Sequence, residues 1–361
     1  MDVAGRALVQ VAIVRQAESS TLVAAGAIRV VLPDGKRRPL EWEGPLSLTP
    51  RVGGLKLADL RLPTETRLEP QEGASIKVGA DAHRGTLILR LDPGQTVTVI
   101  EEISLEEYLE GVLPHEMDPD WPLEALKAQA VVARTFAYAN MGKFRKDGFD
   151  LTADTRSQVY RGVTAVNENV RSAVRQTRGE VLGWRGELLH VYYHSCCGGR
   201  TEDVAQAWGG DPKQTPRPLR GVKDPWCQGT PNHSWRAYFT WSDLMSAIQE
   251  KVGLPGPLSS LKIAHRDAAG YVLSFAARAG RRTVSVRSSD LRHSLGAGEL
   301  KSTKIRRLVP KKKGVEFIGG GSGHGVGLCQ WGTKVQALKG RSYDKILLFY
   351  FPGSVLSVVT Q

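Results

Sequence analysis

Short apolar runs with strand-like alternation dominate the first hundred residues. Val9-Gln10-Val11-Ala12-Ile13-Val14 and Ile28-Arg29-Val30-Val31-Leu32 read as strands, and Pro33-Asp34-Gly35 closes the second with turn chemistry. Residues 86–91 and 96–100 flank Asp92-Pro93-Gly94, which predicts a hairpin. At Ser104 the period changes from two to about 3.6. Ser104 with Glu107 forms a capping box, and Leu105, Tyr108, Leu109 and Val112 continue at helical spacing until Pro114, which should stop the helix. A second helix is expected to about Asn140, with Asp120 as N-cap, Pro122 in its first turn and alanines that permit close packing. Residues 114–118 should then be a short inter-helix loop.

Residues 167–177 predict a further helix ending near Gly179, followed by strands at 181–184 and 188–193. Val315-Glu316-Phe317-Ile318 reads as a strand entering a glycine-rich stretch at 319–327. A helix from Gln330 to Leu338 should come next, stopped by Gly340. The pattern is α+β: a β-rich N-terminal part over 1–100, then a mixed helix-and-sheet domain over 101–361 that includes a β-rich lobe at about 236–314. No βαβ alternation and no repeat of 20–50 residues is present.

Composition adds two constraints. The 361 residues are 41% hydrophobic and 24% charged, which excludes disordered, collagen-like and disulfide-framework classes. The formal charge is +12, and the excess is concentrated. Between residues 262 and 313 fourteen Lys and Arg stand against Asp267, Asp290 and Glu299. This segment is either a solvated basic face or a surface for a polyanion. Nucleic acid is a poor fit, because only Tyr271 and Phe275 are available for stacking and no reading module appears. The opening residues MDVAGRALVQVAIV lack the basic n-region of a signal peptide, and no stretch of about 18 uncharged apolar residues predicts a membrane span.

Three stretches could carry chemistry. Glu116, beside Pro114 and Met117, is a carboxylate that partial desolvation would suit to general acid work, although a surface role is the default for any single Glu. Gly321-Ser322-Gly323-His324-Gly325-Val326-Gly327 fits no phosphate-loop pattern. It is either a tight structural turn or a place where a long ligand approaches the backbone, with His324 projecting. His194-Ser195-Cys196-Cys197-Gly198-Gly199 offers thiols and a histidine, but His194 at a strand end reads more readily as a core or rim residue than as the base of a cysteine nucleophile. Cys196, Cys197, Cys227 and Cys329 contain no CxxC pair. Adjacent Cys196 and Cys197 are not expected to serve one small site together. Buried free thiols are the default, and a disulfide from Cys196 or Cys197 to Cys227 is the alternative in an oxidising compartment.

Several of these words together resemble the SpoIID/LytB domain of bacterial sporulation and cell-wall proteins. They are Glu107-Tyr108-Leu109-Glu110-Gly111-Val112-Leu113-Pro114-His115-Glu116-Met117, then Trp121-Pro122-Leu123-Glu124-Ala125-Leu126-Lys127-Ala128-Gln129-Ala130 with Ala133-Arg134-Thr135. Ser157-Gln158-Val159-Tyr160-Arg161-Gly162 follows, then His194-Ser195 with Gly198-Gly199-Arg200-Thr201-Glu202, and Gly323-His324-Gly325-Val326-Gly327 with Gln330-Trp331-Gly332. The resemblance runs from about Val9 to Ser354 and is densest after Ser104. It implies a SpoIID-like catalytic domain and a peptidoglycan lytic transglycosylase with Glu116 as acid/base. His324, Gly323, Gly325, Gln330 and Trp331 would bind glycan, with Gln158, Tyr160, His194 and Ser195 as further candidates. It also implies an extracytoplasmic home at the cell envelope and peptidoglycan glycan strands as partner. A non-catalytic activator of a cell-wall amidase, or of other wall-remodelling proteins, is the rival from the same family. No cofactor and no metal are predicted. The zinc that some members hold near the Gln-Val-Tyr word needs two cysteines and a histidine. Leu151 and Ser157 take the cysteine places, and no histidine lies between Asn140 and Tyr160.

Overall fold

The computed structural model describes residues 7–32, 34–42, 44–254 and 256–359. Pro33 of the predicted turn and the first six residues of the opening segment lie outside them. The chain divides into two compact units, residues 1–181 with 357–361, and residues 182–356. Among the described residues, no helix is long and apolar enough to cross a membrane.

The first unit is built on two antiparallel-rich sheets. One has seven strands, centred on Leu8–Ala17, Thr96–Ser104, Thr86–Asp92 and Glu65–Pro70. The other has six, centred on Ser75–Val78, Ser20–Ala25 and Pro45–Arg51. Alternation in each strand turns one set of side chains inward. Leu22, Leu48, Leu55 and Ile76 meet Leu68, Leu87, Leu89, Val97 and Val99 in a shared core. The predicted hairpin is present, with Thr86 opposite Glu102 and Asp92 opposite Thr96.

The sheet leads directly into helix α1 (Leu105–Glu116), then α2 (Leu123–Asn140) and α3 (Glu168–Gln176). Ser104 caps α1 by accepting from the Glu107 amide, while its hydroxyl donates to the Glu107 carboxylate. The reciprocal bond therefore closes through the hydroxyl instead of the Ser104 amide. Pro114 does not stop α1, which runs two residues further and is closed by the Met117 amide on the Leu113 carbonyl at 2.9 Å. A proline removes its own amide bond and crowds the carbonyl four residues back, but in a final turn later residues can still donate. Glu116 is thus the last helical residue and not part of a loop. Asp120 does not cap α2. Pro122 occupies that place without a side-chain bond, and its carbonyl accepts from Ala125 and Leu126. The alanine face of α2, Ala125, Ala128, Ala130, Ala133 and Ala137, is buried.

One polar group crosses this helix layer. Arg134 is fully buried and grips the Glu106 carboxylate with Nε at 2.8 Å and Nη2 at 2.7 Å. It also donates to the carbonyls of Val174 and Glu180, which ties α1, α2 and the end of α3 together.

The second unit contains α4 (Val204–Trp208), α5 (Trp241–Val252), α6 (Ser288–Leu295), α7 (Gln330–Leu338) and α8 (Tyr343–Tyr350). Strands Trp235–Thr240, Gly314–Gly319 and Ile305–Lys311 form one small sheet, and Leu258–Arg266, Val272–Ala279 and Arg282–Arg287 another. Both pack with α5 and α6 around Phe239, Leu244, Ile248, Phe275, Leu291 and Phe317. A complete capping box opens α5, with Thr240 and Asp243 bonding each other's amides at 3.1 and 2.9 Å. The strand expected over 188–193 is broken. Glu187–Leu188 ends one hairpin, and only Tyr193–His194 resumes, pairing in parallel with Leu328–Cys329. Most of the basic side chains of 262–313 are exposed on this unit, as a solvated face requires. Arg292 and Lys301 are half-buried, and Lys304 is buried, its Nζ donating to the carbonyls of Cys197 and Arg200 at 3.1 and 2.9 Å.

Candidate functional site

In the first unit, Glu116 sits half-buried at the C-terminal end of α1, its Oε1 accepting from the Val159 amide at 3.2 Å. The neighbouring segment comes close because residue 111 has no side chain. A Cβ on Gly111 would fall 2.4 Å from the Gly162 carbonyl oxygen and 2.4 Å from the Tyr160 ring. Glycine inside a helix costs about 0.5–1 kcal/mol relative to alanine, and here it admits the loop that carries Tyr160 and Gly162. Tyr108, buried beneath Glu116, donates to Gln158 Oε1 at 3.3 Å. Burial, and then the charge of Glu116, push the Tyr108 hydroxyl well above its usual pKa, so it is a permanent donor.

Tyr160 does not face Glu116 through its hydroxyl. It donates to Glu101 Oε2 at 2.8 Å, the same oxygen that meets His83 Nδ1 at 2.5 Å, in a fully buried cluster. Tyr160 therefore supports the segment by stacking on Tyr108, with ring centroids 5.0 Å apart. Partial burial, and then the charge of Arg161, lower the pKa of His115. Leu151 is a buried strand residue, and Ser157 closes a turn by accepting from the Thr152 amide at 3.2 Å.

The second unit brings together His194, Ser195, Gly323, His324, Gly325, Gln330 and Trp331. The parallel pairing of Tyr193–His194 with Leu328–Cys329 is what joins them. His194 is buried, its Nδ1 3.0 Å from the Val326 carbonyl, which requires a proton on Nδ1. Its Nε2 is then a buried acceptor with no hydrogen-bond partner among the described residues. His324 Nδ1 accepts from the Val326 amide at 3.1 Å. The two rings meet edge to face at 5.7 Å. Burial lowers the pKa of His194 to about 3 and that of His324 to about 4, so both imidazoles are neutral at pH 7. Ser195 accepts from Asn232 through its hydroxyl and from the Trp331 amide through its carbonyl. Gln330 is buried, and Lys334 lies over the Trp331 ring at 4.9 Å.

The glycines of 321–327 have a packing explanation. A Cβ at Gly323 would fall 2.9 Å from His194 Cβ, and one at Gly325 2.3 Å from the Tyr271 hydroxyl. Gly325 also has φ +84°, which strains any side chain. The bare backbone accommodates the protein's own neighbours.

A pocket of about 570 Å³ opens beside this cluster, lined by His324, Gly323, Trp208, Glu202, Arg287 and Arg292 among others. Trp208 packs on His324 at 5.2 Å and on Tyr192 at 4.7 Å. Sequence reading missed Trp208 and the functional character of Glu202. A lone exposed Trp at the end of the five-residue helix Val204–Trp208 carries no periodic signal, and Glu202 is distinguished only by its surroundings. Burial, followed by the nearby Asp267 charge, raises the Glu202 pKa to about 9. The carboxyl is therefore protonated at neutral pH and can donate a hydrogen bond into the pocket. The stability tied to that protonated form is complete below pH 4.5 and is lost as pH climbs toward 9. Glu202→Gln should remove this slope, so that its melting temperature gains on the wild type between pH 5 and pH 9. A constant difference across that range would show that the carboxyl is already ionised.

One unit of this α+β chain thus holds a helix-terminal carboxylate, and the other a neutral histidine–aromatic pocket. The Stage II sporulation protein family model covers residues 93–184, and a domain of unknown function (DUF8618) covers 215–327. The chain belongs to the SpoIID family. It is 34% identical over 269 residues to an uncharacterised protein of Brachyspira hyodysenteriae (strain ATCC 49526 / WA1), covering 72% of this chain and 68% of that one. It is 33% identical over 295 residues to the amidase enhancer of Bacillus subtilis (strain 168), covering 69% of this chain and 40% of the relative. Identity to stage II sporulation protein D of the same organism is 29% over 277 residues, or 72% of this chain and 76% of the relative.

Proposed function

We propose that this protein acts at the cell wall outside the cytoplasm, as a lytic transglycosylase on peptidoglycan glycan strands, with Glu116 as the single general acid/base. The observation that carries this reading is the carboxylate of Glu116, half-buried at a helix end, where the Val159 amide donates to its Oε1 and orients it. As an acid it protonates the glycosidic oxygen between MurNAc and GlcNAc while an oxocarbenium-like centre develops at C1. The resulting carboxylate then takes the proton of the MurNAc 6-hydroxyl, which closes on C1 to give a 1,6-anhydro end. The nucleophile is the substrate's own hydroxyl, so a second carboxylate is not required, unlike in an ordinary hydrolase. The pocket of the second unit supplies the kind of surface sugars use. Trp208, backed by Tyr192, offers an aromatic ring, and protonated Glu202, Arg287 and Arg292 offer donors.

The 33% identity to an amidase enhancer favours a second reading, in which the chain binds glycan and stimulates a separate wall amidase. Mass spectrometry of wall glycan, intact or stripped of stem peptides, separates the two. Anhydro-ended muropeptides released by the purified chain support the enzyme. An unchanged digest, together with faster amide cleavage when an N-acetylmuramoyl-L-alanine amidase is added, supports the activator.

A further inference from the structure

All four cysteines of the sequence converge in the second unit, though they come from three distant segments. The ligand atoms of Cys197, Asp224, Cys227 and Cys329 all lie within 4.8 Å of one another, and every one of these residues is buried. We propose that this cluster is a structural zinc site, with three thiolates and the Asp224 carboxylate as its tetrahedral donors. The assignment stands apart from the reading of Glu116 and holds for an enzyme or an activator alike.

Geometry separates a metal site from a thiol pair. The Sγ atoms of Cys197 and Cys227 are 3.5 Å apart. Tetrahedral zinc with Zn–S bonds of about 2.3 Å spaces its sulfurs by roughly 3.8 Å, so the four donors need only small adjustments to enclose an ion. The outer contacts are also in place. Cys329 caps α7, and its sulfur accepts from the Cys197 amide at 3.3 Å and the Gly332 amide at 3.4 Å. Both bonds stabilise a thiolate, as does the positive end of the helix. Asp224 is oriented through both oxygens, by the Trp226 amide at 2.8 Å and the Tyr350 hydroxyl at 2.9 Å. Among the described residues, no Lys or Arg forms an ion pair with this fully buried carboxylate, and a divalent cation would balance it. Such outer-shell bonding is typical of metal ligands. Cys196 and His233 flank Cys227 on its other side, His233 Nδ1 being 3.7 Å from the Cys227 sulfur. The adjacent cysteines thus both reach one residue, contrary to the sequence expectation. The ion would staple the Cys196-Cys197 turn, the segment 224–227 and the start of α7, which are the segments that carry His194, Ser195, Gln330 and Trp331.

The test is metal content of the full chain, purified without chelator from zinc-supplemented cells. Plasma mass spectrometry should find about one zinc per chain, and Cys227→Ser should reduce it at least tenfold while Cys196→Ser retains it. Cobalt(II) added to the chelator-treated wild type should give intense tetrahedral bands with thiolate charge transfer, a readout that does not depend on any variant folding. Tyr350→Phe should weaken zinc affinity about 10–100-fold. Absence of zinc with a weak octahedral cobalt spectrum would overturn the site, as would an intact mass two daltons low from a Cys197–Cys227 disulfide. Loss of zinc in Cys196→Ser would overturn the donor set.

Discussion

Replacing Glu116 with glutamine should abolish release of anhydro-ended glycan while leaving the fold intact. General acid–base catalysis contributes about 10²–10⁴-fold, and one residue plays both parts here, so the loss should reach at least about 10²-fold. Stability should change little. The Val159 amide bonds a single carboxylate oxygen, which the glutamine carbonyl can replace at the same position. Glycan sedimentation should still pull the variant down, because none of the second unit's pocket is altered. Equal product release from variant and wild type would remove Glu116 from the chemistry. The measurement is initial rate by muropeptide mass spectrometry, with circular dichroism melting as the control.

The largest stability effect is expected at Arg134. Arg134→Met keeps the length of the side chain and its packing against α1 and α3, but leaves Glu106 without its two guanidinium bonds and removes the guanidinium donors to the carbonyls of Val174 and Glu180, the first of which keeps the Thr177 amide. Removing one partner of a buried pair costs about 3–5 kcal/mol, and because the Glu106 side chain keeps 18% exposure and the Gly179 amide, the loss should fall at the lower end of that range. The denaturant midpoint of the first unit should fall accordingly. The double variant with Glu106→Gln should recover part of the loss, since no uncompensated charge then remains. A change under about 1 kcal/mol would mean that water replaces the guanidinium. Activity should fall with stability in this variant, because Arg134 anchors the helix whose last residue is Glu116.

Periodicity made the hairpin at Asp92-Pro93-Gly94, the cap at Ser104 and the helix from Asn167 legible from sequence. Each depends on residues a few positions apart. Where contacts span the chain, the sequence was silent. Tyr193–His194 is a strand only because Leu328–Cys329 lies beside it, and no local run announces that pairing. Pro114 reads as a stop, yet α1 continues past it, because a proline removes one amide from a final turn that other amides complete. The residue words pointed to Glu116, His194 and His324, but the protonation of Glu202 and the stacking of Trp208 depend on burial and on neighbours brought in by folding. The cysteines were weighed by spacing alone, and spacing cannot reveal that residue 329 returns to residue 197.

That return has a temporal side. The Cys197 amide bonds the Cys329 sulfur across 132 positions, and α7 begins only after that cysteine. On a ribosome adding about 5–20 residues per second, the turn carrying Cys196 and Cys197 emerges about 7–26 s before its last partner. The β-rich half of the first unit is complete in sequence long before then. During that interval the nascent chain carries two neighbouring thiols that nothing yet covers, and this is the stage at which oxidation or a chaperone would reach them.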